Sequence, residues 1–153
     1  MRTIAIFMAV AALAATTRVG RAEQGAFRAD IDKLTQQNTD FRRVLFTGPS
    51  LQIVAMSLRE REDIGEEVHD VDQCFFFVNG EAEVVVKGKP ARMPPDSVLC
   101  VPGGTRHNIR NAGGRPLKLY TLYAPPQHPA RTVHHTKADA ERAEKSGDRK
   151  PKK

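Results

Sequence analysis

Read for alternation of apolar and polar positions, the chain breaks into short β-type runs. They are RVLF, LQIVAMSL, EEVH, QCFFFV, EVVVK, SVLCV, HNIRN and LKLYTLY, all between Phe41 and Tyr123. Gly, Pro and Asn punctuate them in TGPS, NG, KGKP, PPD, PGGT and AGGRP. Short strands with frequent turn signals and no intervening helices predict an antiparallel sandwich or barrel. Asn79-Gly80, between QCFFFV and EVVVK, is the strongest hairpin signal, and Lys87-Gly88-Lys89 marks a second tight turn. ADIDKLTQQN (Ala29–Asn38) predicts a short helix capped by Asp30. APPQHPARTVHH predicts an extended segment that proline keeps out of regular sheet. Thr136 and Asp139 stand in capping-box spacing at the start of a last helix, and the charged residues after it predict a disordered tail. No internal repeat is present.

The first residues change the picture. Arg2 precedes an apolar run from Ile4 to Ala15, followed by small and polar residues. This is the pattern of a secretory signal peptide, cleaved after Ala14 or Ala22; the alternative is an uncleaved membrane anchor, for which the run is short. The expected organisation is therefore a signal over 1–22, a helical lead-in over 23–40, a barrel over 41–136 and a helical then disordered tail over 137–153. The expected location is secreted or periplasmic, with no stable membrane span once the signal is removed.

Charge alters little. The net charge is +6, but 1–22 carry three basic residues and no acid, and 137–153 carry seven basic residues against four acids. That leaves fourteen of each sign in the predicted fold, so no basic face for nucleic acid is expected. Cys74 and Cys100 form no spacing motif and read as two buried thiols, with a bridge as the alternative in an oxidising compartment. Arg42, Arg43 and Arg106 read as surface charges, and His128, His134 and His135 as a solvated loop. Ser50 and Ser57 lack a nucleophile elbow, and no glycine loop cradles phosphate.

Candidate chemistry collects around EEVHDVDQCFFFVNG. On strands, alternate side chains share a face. Glu67 and His69 point one way; so do Gln73, Phe75 and Phe77, while Cys74, Phe76 and Val78 point the other. If the Asp70–Asp72 bend keeps register, Glu67, His69 and Gln73 face one interior. Farther on, Pro102-Gly103-Gly104 makes a tight turn, after which His107, Ile109 and Asn111 share a face. An inward His107 would approach the first group in a closed barrel. Two imidazoles, a carboxylate and an amide oxygen suit a divalent transition metal (Zn, Mn, Fe or Ni) with open positions. Phe75, Phe77 and Ile109 would pack the barrel or form a pocket wall. Asn111 reads as a turn former, and at most one of Tyr120 and Tyr123 points inward.

These stretches resemble the two motifs of the cupin superfamily. Glu67 and His69 occupy the His-x-His positions of the first motif, Gln73 its glutamate position and Gly80 its closing glycine. Pro102, Gly104, His107 and Asn111 match the second motif position by position. Arg61 and Asp96 stand where each motif opens with glycine, Glu67 replaces the first histidine and Gln73 the glutamate. NTDFRRVLFTG, LKLYTLYAPPQHP and TVHHTKADA extend the likeness, from Thr35 to Ala140, to small single-domain bacterial cupins labelled mannose-6-phosphate-isomerase-like. The resemblance implies an all-β double-stranded β-helix (jelly-roll) barrel with a metal on Glu67, His69, Gln73 and His107. It implies a small polar ligand, with metal-assisted isomerisation or oxygenation of a carbohydrate-like or small carbonyl compound. Zinc-dependent phosphomannose isomerases likewise use two histidines, a glutamate and a glutamine. The alternatives are a non-catalytic binding or sensory module and a metal-free barrel. Cupin barrels commonly pair, so a homodimer is expected, with Phe76 and Val78 as outward contact area.

Overall fold

The structure, a computed structural model, describes residues 26–147. The expected signal peptide and the tail beyond Gly147 lie outside the described residues. Among these, no helix is long and apolar enough to cross a membrane.

Helix α1 (Ile31–Gln37) is followed by strands β1 (Arg42–Thr47), β2 (Gln52–Leu58), β3 (Asp72–Asn79), β4 (Ala82–Val86), β5 (Lys89–Met93), β6 (Ser97–Val101), β7 (His107–Asn111), β8 (Leu117–Ala124) and β9 (Val133–His134), then helix α2 (Lys137–Lys145). Asp30 caps α1 by accepting from Lys33 N, and Thr136 with Asp139 completes the capping box of α2, both as the sequence predicts. The strands form a six-stranded sheet, β6-β3-β8-β2-β1-β9, and a three-stranded sheet, β5-β4-β7. This is the double-stranded β-helix arrangement, but the sheets do not close into the continuous cylinder expected from sequence.

Alternation sets the core. β3 buries Gln73, Phe75 and Phe77, and β8 buries Leu117, Leu119, Thr121 and Tyr123. Val84 and Ile109 of the smaller sheet join the same cluster, so the two inner faces exclude water from a shared interior. On the outer face Phe76 stacks on Tyr120 with ring centroids 4.7 Å apart. Lys118, on that face, donates to Asn38 O at 2.5 Å and to Ser57 Oγ at 2.9 Å, tying the end of α1 to β2 and β8.

Several elements differ from expectation. Asn79-Gly80 is a corner between sheets and not a hairpin: β3 pairs with β6 and β8, and β4 with β5 and β7. Gly80 has φ +92°, and a Cβ there would sit 3.0 Å from Leu117 Cα, so the crossing itself demands glycine. The real hairpin is Lys87-Gly88, with φ of 50° and 77°, the double left-handed geometry of a type I′ turn. It leads into β5, which Pro90 obscures in the sequence. Proline is admissible there because β5 is an edge strand. Val133–His134 does join a sheet, pairing with Arg43 and Arg42 of β1.

The cysteines are not free thiols. Register places Cys74 opposite Cys100 on β3 and β6 with Cα atoms 4.0 Å apart, and they form a disulfide. The closeness of directly opposed residues in an antiparallel pair makes the bridge possible.

Candidate metal centre

EEVH is not a strand. Its chain runs beside the free edge of β7 as single bridges: Glu67 N donates to His107 O at 2.9 Å and His107 N to Glu67 O at 3.0 Å. Asn111 N donates to Glu62 O and Ile64 N to Ile109 O, while Gly65 at φ +92° interrupts regular pairing. Exchanging both backbone bonds fixes Glu67 and His107 as direct neighbours across the ladder. The glycine turn fixes His69: Gly104 N donates to His69 O at 2.7 Å and Gly103 N to Asp72 Oδ1 at 2.9 Å. A Cβ on Gly103 would stand 3.2 Å from the Asp70 carbonyl, so any side chain there would push the Asp70–Val71 backbone aside by a few tenths of an ångström.

The sequence-predicted donors converge. One ligating atom from each of Glu67, His69 and His107 lies within 4.8 Å of the others. His69 Nε2 is 2.9 Å from Glu67 Oε2, and His107 Nε2 is 3.2 Å from Gln73 Oε1. His107 and Gln73 are buried, whereas Glu67 and His69 are partly exposed at the mouth. His107 Nδ1 donates to Thr105 O at 2.9 Å, which leaves Nε2 as the lone-pair nitrogen, the support typical of a metal-bound imidazole. Its lone pair and that of Gln73 Oε1 then face the same space, while the buried Gln73 amide has the Tyr123 phenol as its other polar neighbour. Facing acceptors are stabilised by a cation between them. The donor set fits a divalent ion.

Around it, Phe75 packs edge-on to His107 with centroids 5.6 Å apart, and Tyr123 edge-on to His69 at 5.7 Å. Burial pushes the Tyr123 phenol above its ordinary pKa, and the Glu67 carboxylate adds to this. Above lies a cleft of about 890 Å³, lined by Glu67, His69, Val71, His128 and, from α2, Glu141 and Glu144 among others. Phe75, Phe77 and Ile109 do not line it; they are core packing behind the donors. Asn111 is no ligand. Its Nδ2 donates to Leu58 O, Arg59 O and Arg115 O, and its Oδ1 accepts from Gly113 N. It is a buried backbone clamp as well as a turn former.

Two participants escaped the sequence. Arg42 is not a surface charge: its side chain is 3% exposed, with Nη2 3.6 Å from Glu67 Oε1. His128 is not solvated but buried, edge-on to Tyr123 at 5.1 Å. Its backbone N–H donates to Gln52 Oε1 at 3.0 Å, and its carbonyl accepts from Gln52 Nε2 at 2.8 Å. Arg106 is exposed and paired with Glu66, as expected.

Comparison with known proteins agrees with this architecture. The family model for the cupin domain matches residues 54–123. The uncharacterized protein YrkC of Bacillus subtilis is 46% identical over 126 residues, covering 77% of this chain and 67% of YrkC, about two thirds of that relative's length. The crystal structure of BH2720 from Bacillus halodurans superposes with a TM-score of 0.75 at 44% identity, covering 76% of this chain and 94% of that one. A cupin superfamily protein from Desulfitobacterium hafniense shares the fold at a TM-score of 0.51 and 24% identity, covering 56% of this chain and 76% of that one. With both motifs placed on the inner faces of the double-stranded β-helix, the chain belongs to the cupin superfamily.

Proposed function

We propose that this cupin holds a divalent transition metal on Glu67, His69, Gln73 and His107 and binds a small polar molecule in the cleft above it. The observation that carries the reading is the convergence of these donors, with Glu67 and His69 lining the cleft and His107 and Gln73 buried behind them. A bound divalent ion supplies Lewis acidity toward a carbonyl or hydroxyl oxygen. The protein supplies the rest. Thr105 holds the His107 tautomer, Gly104 holds the His69 backbone, and the apolar core behind His107 keeps water from the rear of the site. Metal-assisted isomerisation or oxygenation of a carbohydrate-like or small carbonyl compound suits such a centre.

The walls narrow the ligand class. Glu66, Asp70, Glu141 and Glu144 line the cleft along with Glu67, and Lys137 is the one lysine or arginine among the described residues that line it. A surface of this sign repels phosphate esters, so a neutral, polyhydroxylated ligand suits it better than a sugar phosphate. The disulfide supports an oxidising compartment and hence export. Pairing of two copies would use the outer face around Phe76 and the exposed Val98.

The test is metal analysis of protein purified without a histidine tag, with melting curves before and after chelation. One ion per chain and a chelator-induced fall in Tm that His107→Ala abolishes are expected. Absence of a bound ion after loading with Zn, Mn, Fe and Ni in turn overturns the reading. Turnover of a neutral sugar or small carbonyl compound, or metal-dependent oxygen uptake, distinguishes an enzyme from a module stabilised by its ligand without turnover.

A further inference from the structure

Arg42 stands between two carboxylates from distant parts of the chain. Nη2 lies 3.6 Å from Glu67 Oε1, and Nη1 lies 3.4 Å from Glu144 Oε1. Glu67 turns its other oxygen to His69. Glu144 belongs to α2, whose Lys137, Glu141 and Glu144 wall the cleft. A line of charge therefore runs from the donor cluster through Arg42 to the C-terminal helix.

We propose that Arg42 is a positioning residue that couples the donor carboxylate to α2, so that loading the site with a divalent cation tightens α2 over the cleft. The proposal rests on the metal reading above. A guanidinium stays charged and, when buried, needs an anion. Arg42 donates a long hydrogen bond to Glu144 and stands 3.6 Å from Glu67, so the guanidinium is shared between the two carboxylates. With Glu67 and His69 engaged by a divalent ion, the Glu67 carboxylate would offer less charge to the guanidinium. Arg42 then gains most by closing on Glu144. The ion pair of Lys137 with Asp63 and the core packing of Ala140 are untouched by this exchange and keep the helix start in place. Linkage makes the effect reciprocal: whatever factor the ion adds to α2 docking, α2 docking adds to ion affinity.

The test uses the full chain, Mn²⁺ or Zn²⁺ titrated against a competing chelator, and hydrogen exchange of residues 137–147. In the parent protein, the ion should slow exchange in α2. Glu144→Gln should weaken ion affinity on the order of fivefold to tenfold and remove the ion-dependent protection. Arg142→Gln, on the same helix but exposed and paired with Asp139, should change neither. In an Arg42→Lys background, the effect of Glu144→Gln should shrink. Because Glu144 helps neutralise the buried Arg42, the melting temperature of ion-free Glu144→Gln is measured alongside, and it separates a loss of fold from a loss of coupling. An ion bound with equal affinity by Glu144→Gln and parent, with exchange in α2 independent of the ion, overturns the coupling and leaves the metal reading standing. No ion binding by the parent overturns both.

Discussion

His107 Nε2 and Gln73 Oε1 stand 3.2 Å apart while the opposite ring nitrogen donates to Thr105 O. The imidazole has used its proton on the backbone, so two lone pairs face each other in a buried space, with the Tyr123 phenol beside the Gln73 amide. Such an arrangement weakens an ion-free fold and is relieved by a cation. Gln73→Leu should therefore change the melting temperature of metal-stripped protein little, since it removes the facing acceptor together with the amide's contact to Tyr123. Affinity for the ion should fall about 10- to 100-fold, the range seen when support of a metal site is lost. Calorimetric melting with and without the ion reads both effects; a large loss of stability in the stripped variant would show that Gln73 is structural.

The disulfide joins β3 immediately after Gln73 to β6 immediately before Val101 and the glycine turn that holds His69. It closes a loop with a sequence separation of 26, for which the chain-entropy model gives about 3.5 kcal/mol. Reduction, or Cys74→Ser with Cys100→Ser, should lower Tm by roughly 10 °C. The double variant should be indifferent to reductant. Equal melting curves for oxidised and reduced parent protein would contradict this.

Arg61 and Asp96, where the two family motifs open with glycine, both have φ of 62°. The backbone still takes the left-handed turn that glycine accepts without strain, and a side chain there costs about 1 kcal/mol or more. Arg61 is exposed and makes only a long contact, 3.7 Å, to its neighbour Glu60, so nothing offsets the strain. Arg61→Gly should raise stability by about 0.5 kcal/mol once the extra freedom of unfolded glycine is counted. Arg61→Val should lower it. Denaturant midpoints measure both. Asp96 should gain less, because aspartate tolerates this conformation better.

What the sequence made legible was local. Period-two alternation placed Gln73, Phe75 and Phe77 on one face, and motif spacing brought Glu67, His69 and His107 together. What it hid depended on distant partners. Arg42 is buried because Glu144, 102 positions away, helps neutralise it, and no local pattern encodes that. His128 is drawn in by Gln52, 76 positions away. Asn79-Gly80 misled because a hairpin signal reports only that the chain turns. Whether β3 and β4 then pair is decided by β8 and β7, which claim their edges. Lys87-Gly88 carried the true hairpin, but Pro90 made its second strand look irregular.

The start of α2 offers a prediction in acid. Lys137 pairs with Asp63, a residue of the segment that runs beside β7. Burial pushes the Asp63 carboxyl up, but the Lys137 ammonium, with help from Asn108 and Gly65 N, overcomes that and holds it below its ordinary value of 3.8. A carboxylate whose folded pKa is depressed stabilises the fold above the unfolded value, and that contribution is lost as pH falls through the folded one. The pair should therefore contribute fully at neutral pH, begin to weaken near pH 3.8 and be lost below it. Both side chains are about a quarter exposed, so solvent screening keeps the effect modest. Asp63→Asn should destabilise the protein slightly at pH 6 and flatten part of the pH dependence below 3.8, with α2 amides exchanging faster than in the parent. A parallel pH–stability curve for Asp63→Asn, displaced without change of slope, would show that Asp63 titrates no differently in the folded and unfolded chains and that α2 is held by other contacts.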